Sequence, residues 1–319
     1  MHTPYNYIFD GTFILVGEDG SVVTEMGTPI VTWATGKIWV NNHAHIISEI
    51  NGVLLRYLFH YLQTVPVKHL IHGNIPKLTG GDFRALKIAV PPLPIQEEIV
   101  RILDKFTELT AELTAELTAR KQQYEYYRDR LFANYKSAPK KKLIEVADIS
   151  RGIRVVKKQL ISNGNYPVYQ NSLAPMGYYD KYNCNGNTTY VISAGAAGEI
   201  GYCETNFWAA DDCLFFSNLK EVNNKYIYYF LLTKQDFIYS NVRKASIPRL
   251  SRTVIENLQI PIISIDEQEQ VVNLLNRFDK LCNDISEGLP AEIEARQKQY
   301  EYYRDKLLTF KKKEAVENE

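Results

Sequence analysis

The feature that most constrains the fold of this chain is an internal duplication. The segment Ile75–Thr79, IPKLT, recurs as Ile247–Ser251, IPRLS. A tyrosine-rich segment, Gln123–Asp129 or QYEYYRD, recurs without change as Gln299–Asp305. The two copies are separated by more than half the length of the chain, whereas solenoid repeats run to roughly 20 to 50 residues. A period this long predicts two related domains.

Each copy is predicted to contain a mixed domain followed by a long helix. Short β-branched or aromatic runs bounded by glycine and asparagine predict strands, and short apolar runs after them predict helices. In the second copy the strands are Thr188–Ser193, Gly201–Glu204 and Leu214–Ser217, the helix is Tyr226–Leu232, and Val254–Ile263 is a helical turn leading into a strand. The matching segments of the first copy are Thr12–Val16, Pro29–Thr32, Leu54–Leu62 and Asp82–Val90.

Apolar residues at steps of three or four predict the long helices. The first covers Gln96–Tyr135, and Gly288-Leu289-Pro290 is expected to interrupt the second. Because the two apolar stripes are near-copies, we expect the helices to pack against each other. The residues of this predicted interface, which also serve as subunit-binding candidates, are Phe106, Leu109, Leu113, Leu117, Tyr124, Tyr127, Phe278, Leu281, Tyr300 and Tyr303.

The predicted fold is therefore α+β, with two mixed domains separated by two long, antiparallel coiled-coil helices in a pseudo-two-fold internal repeat. The predicted segments are a first domain at 1–94, a first helix at 95–135, a linker and second domain at 136–265, a second helix at 266–310 and a charged tail at 311–319. Positions 1–12 precede Phe13 in the first copy, whereas positions 143–189 precede Tyr190, which aligns with it. We expect the first domain to be incomplete at its N-terminal side.

Composition narrows the class of protein. The chain has no apolar run of the roughly 20 residues that a membrane helix needs and no signal-peptide pattern, so a cytoplasmic protein with no membrane contact is expected. Four cysteines without CxxC spacing indicate free thiols in a reducing compartment. Lys plus Arg and Asp plus Glu each number 37. If DNA is the ligand, this zero net charge indicates that partner subunits supply part of the positive charge.

Candidate DNA contacts lie in polar and basic loops, because such side chains reach phosphates and base edges. The candidates are His72, Asn74 and Lys77 in the first copy, the equivalent Lys244, Ser246 and Arg249 with the adjacent Arg243 in the second, the basic residues Arg151, Arg154, Lys157 and Lys158, and Tyr169, Asn171 and Tyr178. The alternatives are a structural turn for the two equivalent loops, a solvated linker for the basic tract, and half-buried strand residues for the tyrosines.

The sequence contains no recognised catalytic or cofactor-binding motif, so neither a catalytic site nor a cofactor is predicted. Pro91-Pro92 lacks the preceding Asp or Asn of an adenine-methyltransferase motif, and there is no Walker motif. Gly195–Gly198 is interpreted as a turn, because a strand-like segment follows it where a phosphate loop needs a helix. The histidine pairs at 43 and 45 and at 69 and 72 are not predicted to bind metal, because the second copy lacks them.

The chain resembles the specificity subunits of Type I restriction-modification enzymes. The segment Pro92–Ile99, the iterated TAEL at Thr110–Leu117 and the doubled YEYYRD are similar to the helical regions of the TAEL-repeat branch. Tyr190–Gly198 and Phe207–Asp212 are similar to the family's target-recognition domains.

This resemblance implies a non-catalytic subunit whose two target-recognition domains read a bipartite site in double-stranded DNA. The helices would bind two modification subunits and, through them, restriction subunits, which hold the active sites. The number of TAEL units would set the unread spacer, because four residues add about 6 Å of helix. Two other functions stay open, an enzyme acting alone and a helical protein–protein adaptor without a DNA role. For the short first domain three explanations stay open: the start is internal, the gene is a truncated or silent cassette, or another chain completes the domain.

Overall fold

The computed structural model describes residues 7–284 and 286–310. The chain divides into two compact units, one formed by Met1–Glu116 with Pro290–Glu319 and the other by Leu117–Leu289. Each unit therefore combines a globular part with segments of the long helices. The predicted charged tail at 311–319 lies outside the described residues.

The first unit is built on an antiparallel three-stranded sheet. Its strands are β1 (Phe9–Gly17), β2 (Val31–Ile38) and β3 (Ala44–Ile47), in the order β2-β1-β3. Two short helices follow, α1 (Leu55–Leu62) and α2 (Gly80–Arg84). The core contains Ile14 and Val16 from β1 together with Leu55, Leu62 and Leu78, all at most 5% exposed.

The long helices contribute to both units. Helix α3 runs from Leu93 to Asn134 without a break, and its 42 residues span about 63 Å at 1.5 Å per residue. Helix α8 (Ile265–Asn283) and helix α9 (Leu289–Leu308) are separate, as the Gly288-Leu289-Pro290 motif predicts. A Cβ at Gly288 would lie 2.6 Å from the carbonyl oxygens of Asp284 and Lys280, so only glycine fits at this break.

The second unit contains more strands. In chain order its elements before α8 are β4 (Lys140–Lys142), α4 (Leu143–Val146), β5 (Asp148–Arg151), β6 (Tyr166–Tyr169), β7 (Gly177–Tyr179), β8 (Thr188–Ile192), β9 (Ile200–Cys203), β10 (Trp208–Ala209), β11 (Cys213–Ser217), α5 (Asn224–Leu232), α6 (Gln235–Ser240), α7 (Arg252–Glu256) and β12 (Gln259–Pro261). They form sheets in the orders β5-β11-β8-β9 and β10-β6-β7, and a ladder of β12 with β4. The strands and helices predicted for this copy are confirmed within a few residues.

A pair of buried glutamines shows that the duplication extends to individual contacts. Gln96 accepts a hydrogen bond from the Leu54 amide and donates to the carbonyls of Gly52 and Pro91, at 2.7–2.9 Å. Gln268, its equivalent in the second copy, makes the same three bonds to the backbone around its own short helix, at 2.8–3.0 Å. Both side chains are fully buried. Each glutamine therefore fixes the start of a long helix to the start of the short helix before it.

A buried tyrosine repeats the pattern. Tyr57 of α1 donates to the carbonyl of Ala89, and Tyr226 of α5 donates to that of Pro261. The two acceptors are equivalent in the register that aligns Ile75 with Ile247. The short helix in each unit is thus held at two points to the segment that leads into a long helix.

The structure corrects two details. The strand predicted at Pro29–Thr32 is β2, which begins at Val31 and runs to Ile38. In Asp82–Val90 the helical turn forms, as α2, but the described residues of that segment contain no strand. Along the long helices much of the apolar stripe packs on the globular parts, and Tyr127, Leu281 and Tyr303 stay 39–40% exposed.

Candidate DNA interface and helix pairs

Two equivalent loops present the predicted contact residues. In the first unit His72 and Lys77 exchange backbone hydrogen bonds at 3.0 and 3.1 Å, closing a tight loop whose Ile75 is 70% exposed. In the second unit Arg243 and Arg249 exchange two backbone bonds, at 2.8 and 3.1 Å, and close a loop that is one residue longer, because Lys244 is the equivalent of His72. All seven candidates in these loops are exposed: His72, Asn74, Lys77, Arg243, Lys244, Ser246 and Arg249. A closed loop holds such side chains at a defined position, which sequence-specific contacts require.

The second loop is attached to the four-stranded sheet beside a partly buried acid. The Gly195 amide donates to the carbonyl of Pro248, and Arg249 forms a β-bridge with Ala194. Burial raises the pKa of Asp212, with Asp211 adding to the rise, while the positive charges of Arg249 and Arg151 oppose it. Two candidate arginines from distant parts of the sequence thus lie close to one carboxyl group.

The basic tract after β5 is held by close packing at its first residue. A Cβ at Gly152 would lie 2.2 Å from the carbonyl oxygen of Ala209, so the backbone approach requires glycine. The indole of Trp208 donates to the carbonyl of Ile153 at 2.8 Å. Arg154, Lys157 and Lys158 are exposed beyond this anchor. The tract is therefore an ordered turn with exposed cations.

Of the remaining three candidates, two are exposed and one is half-buried. Asn171 is exposed, and its carbonyl accepts the Ala196 amide, which places it beside the β8–β9 turn; Tyr178 is 46% exposed. The ring of Tyr169, in contrast, stacks on Tyr190 with centroids 4.8 Å apart and packs against Phe207. The structure gives Tyr169 a packing role, so we leave it out of the interface proposed below.

The first unit carries less free positive charge at its loop. Lys77 lies 3.4 Å from a carboxylate oxygen of Glu18, and His72 lies 3.8 Å from one of Asp82. His45, one of the histidines considered for metal binding, stacks on Phe83 and bonds to the carbonyl of Leu78. Within residues 7–284 and 286–310, no cluster of His, Cys, Asp or Glu is arranged to hold a metal ion.

The predicted pairing of the long helices occurs within each unit. In the first unit Phe106 of α3 stacks on Tyr303 of α9, with ring centroids 5.3 Å apart. In the second unit Tyr127 of α3 stacks on Phe278 of α8 at 5.9 Å. Of the other predicted interface residues, Leu109, Leu113 and Leu117 are half-buried, and Tyr124 and Tyr300 are buried.

The two copies of the YEYYRD motif pack reciprocally. Tyr300, from the second copy, is buried with Tyr57, Ile99 and Leu103 in the first unit. Tyr124, from the first copy, belongs to the core of the second unit. The YEYYRD motif of each sequence copy therefore packs in the core of the unit that contains the other copy's mixed domain.

A buried histidine in the first unit marks where the repeats diverge. Asp104 accepts hydrogen bonds from His60 at 2.8 Å and from Arg56 at 2.7 Å, and the other ring nitrogen of His60 lies 2.9 Å from the Tyr300 hydroxyl. At the equivalent places of the second unit Tyr229 donates to Asn276 at 2.6 Å. An ionisable pair in one unit thus replaces a neutral pair in the other.

This pair predicts acid sensitivity confined to the first unit. Burial lowers the pKa of His60, against the opposing effect of its bond to Asp104. A histidine whose pKa is lower in the folded state stabilises the fold above its unfolded pKa, near 6.5, and this contribution is lost as pH falls. Urea unfolding at pH 7.5 and 5.5 is expected to show lower stability at pH 5.5. The double variant His60→Tyr with Asp104→Asn, which imports the neutral pair, is expected to reduce the difference; an undiminished difference contradicts the assignment.

Comparison with known proteins identifies the family. The family description "Type I restriction modification DNA specificity domain" matches residues 3–120 and 136–295, one domain in each copy. The chain belongs to this family. It is 34% identical to a putative Type I restriction enzyme specificity subunit of Haemophilus influenzae, over 95% of this chain and 84% of that protein. It is 33% identical to a Type I restriction enzyme specificity subunit of Escherichia coli, over 84% of this chain and 74% of that protein.

The fold of the chain also resembles that of a solved specificity subunit. A crystal structure of the S subunit of a Type I restriction-modification system from M. genitalium superposes with a TM-score of 0.64 at 17% identity, covering 96% of this chain and 85% of that one.

A specificity subunit is the non-catalytic component of such an enzyme, and family membership assigns that role here. Among the described residues, no helix is long and apolar enough to cross a membrane.

Sequence reasoning missed the polar residues that join the elements, namely the buried Gln96, Gln268 and His60 and the half-buried Asp104. A signal for the glutamines was present, because they occupy the same place in both copies next to apolar residues. The histidine had no such signal, since its equivalent is a tyrosine.

Proposed function

We propose that this specificity subunit reads a bipartite site in double-stranded DNA, with the loop His72–Lys77 contacting one half-site and the loop Arg243–Arg249 the other. The observation that supports the proposal is that a reciprocal pair of backbone bonds closes each loop and that both loops expose polar and basic side chains. Arg151, Arg154, Lys157 and Lys158 would contact phosphates beside the second loop, and Asn171 and Tyr178 would lie at its margin. The place of action would be the cytoplasm.

A selection experiment tests this proposal. The chain, assembled with its modification subunit, is mixed with a pool of random duplexes, and bound duplexes are recovered in gel-shift assays and sequenced. We expect two short enriched motifs at a constant separation. A pool without enrichment favours the protein–protein adaptor, and binding of S-adenosylmethionine by the isolated chain favours an enzyme acting alone.

We also propose that two modification subunits bind, one at each helix pair. Two equivalent pairs of exposed tyrosines support this stoichiometry: Tyr126 and Tyr127 are 58% and 40% exposed, and Tyr302 and Tyr303 are 59% and 40% exposed. Exposed aromatic side chains are characteristic of interface centres. Restriction subunits would join through the modification subunits.

The length of α3 is expected to set the separation of the half-sites. Deletion of Thr114–Leu117 removes one TAEL unit and about 6 Å of helix, close to a whole helical turn, so the stripe containing Leu113 stays nearly in register. We expect selection with this variant to return the same half-sites with a shorter gap. A variant with Ala115→Ser, which keeps the helix length, serves as control. An unchanged gap would contradict the role of α3 as a spacer.

A further inference from the structure

The turn directly before β11 lies where several segments of the second unit meet. The amide of Ser193, which follows β8, donates to the carbonyl of Asp212 at 2.7 Å. The amide of Gly152, which follows β5, donates to the carbonyl of Cys213 at 3.0 Å. The Cys213 sulfur lies 3.3 Å from the carbonyl oxygen of Gln170, which follows β6. The ends of β5, β6 and β8 are thus fixed around Asp212.

The side chain of Asp212 is half-buried between two candidate arginines. Arg249 forms a β-bridge with Ala194, and Arg151 is the last residue of β5. Burial raises the pKa of Asp212, while the charges of Arg249 and Arg151 and a hydrogen bond from Gln170 act to lower it. Among the described residues no ion pair within 4.0 Å joins Asp212 to either arginine. Its carboxyl group therefore keeps acceptor capacity for a ligand.

The first unit has the same backbone arrangement with a different side chain. The amide of Glu18 donates to the carbonyl of His43 at 2.9 Å, directly before β3. Lys77 of the first loop forms a β-bridge with the next residue, Asp19. These contacts match those of the second unit, so His43 occupies the position of Asp212. A backbone position that is kept while its side chain differs suits two domains that read different half-sites.

The negative charge of Asp212 restricts what this side chain can recognise in DNA. Phosphates repel a carboxylate, so at a DNA-binding surface it lowers the affinity for every sequence alike. In the major groove a carboxylate accepts a hydrogen bond from the N4 amino group of cytosine. Adenine also presents an amino group there, but its N7 acceptor lies beside that group and repels a carboxylate. Cytosine is therefore the base that this chemistry selects.

We propose that Asp212 is a specificity-determining residue of the second half-site and accepts a hydrogen bond from the N4 amino group of a cytosine. Arg249, on the adjoining loop, donates to a nearby guanine, the base that arginine reads in the major groove. The inference rests on the DNA-reading function proposed above and adds a residue and a base to it. At this position the subunit loses affinity for DNA in general and gains discrimination.

An isosteric variant tests the choice of base. Asparagine has the shape of aspartate, but its amide bonds to both N6 and N7 of adenine. In the selection from random duplexes, with the modification subunit present, we expect the unsubstituted complex to select cytosine at one position of the second half-site. The Asp212→Asn complex is expected to select adenine there and to leave the first half-site unchanged. Asp148→Asn, on an exposed side chain at the other end of β5, is the control and is expected to return the unaltered motif.

A base analogue tests the contact itself. In the selected duplex that cytosine is replaced by a pyrimidinone that lacks the amino group, and binding is followed by fluorescence anisotropy. The replacement is expected to weaken the unsubstituted complex about tenfold more than it weakens the Asp212→Ala complex, because only the former loses the hydrogen bond. Weakened base pairing affects both complexes alike, so it cancels in this comparison.

The outcomes separate this inference from the function on which it rests. If the unsubstituted complex enriches no motif, the proposed function fails and the inference fails with it. If that complex enriches a bipartite motif and the Asp212→Asn complex returns the same motif, only the inference is overturned. Equal weakening of both complexes by the analogue also overturns it. A change of preference confined to a guanine position overturns it as well, because Asp212 would then act only through an arginine.

Discussion

Gln268→Leu is expected to lower the free energy of unfolding by about 3 kcal/mol, because it leaves three partly buried backbone groups without the hydrogen-bond partner that the buried glutamine supplies. Each buried unsatisfied group costs roughly 1–3 kcal/mol, and the larger apolar surface of leucine offsets part of the total. The groups concerned are the amide of Asn223 and the carbonyls of Glu221 and Ile263. Urea unfolding followed by circular dichroism measures the loss.

The matched control is Gln270→Leu, which replaces an exposed side chain two residues further along the same helix. We expect it to change stability by no more than about 0.5 kcal/mol. Gln96→Leu is expected to behave as Gln268→Leu does, but in the first unit. Equal stability of the variants at 268 and 270 would show that the three bonds contribute nothing net.

Arg249→Ala is expected to weaken binding of the assembled complex to its selected duplex by about tenfold or more, since one arginine contact to a base edge contributes roughly 1–3 kcal/mol. The arginine is well placed for this because the closed loop fixes its backbone and its side chain is exposed. Binding should become less selective in one half-site and stay selective in the other. Lys77→Ala is expected to affect the opposite half-site.

Anisotropy titrations at one salt concentration, with duplexes substituted in each half-site, measure both effects. Lys220→Ala is the control, because this exposed lysine follows the end of β11, whereas Asp212 precedes its start. The same proportional loss on every substituted duplex would mean that Arg249 contacts a phosphate and reads no base. Unchanged affinity would remove Arg249 from the interface.

Local features of the chain were predictable to a large extent. The duplication, the strands of the second copy, the helix α3 and the break at Gly288 all follow from periodicity and turn residues, which depend on neighbours in sequence. The strand expected after α2 was wrong because strand formation needs a partner edge, and residues 87–89 have none within the described chain. Of the candidate contacts, Tyr169 could not be separated from Tyr178 by sequence, since both are tyrosines in short strands and only packing distinguishes them.

By itself, the sequence determined that this protein consists of two related mixed domains joined to long helices, and which family it resembles. Repeats, apolar periodicity and glycine positions can be recognised from the order of the residues alone. Only the tertiary structure decided that Arg151 and Arg249 lie near one aspartate, and that Tyr300 completes the core of the unit that begins the chain. Such contacts join residues far apart in sequence, and they depend on how buried side chains fill a shared core, which no local pattern specifies.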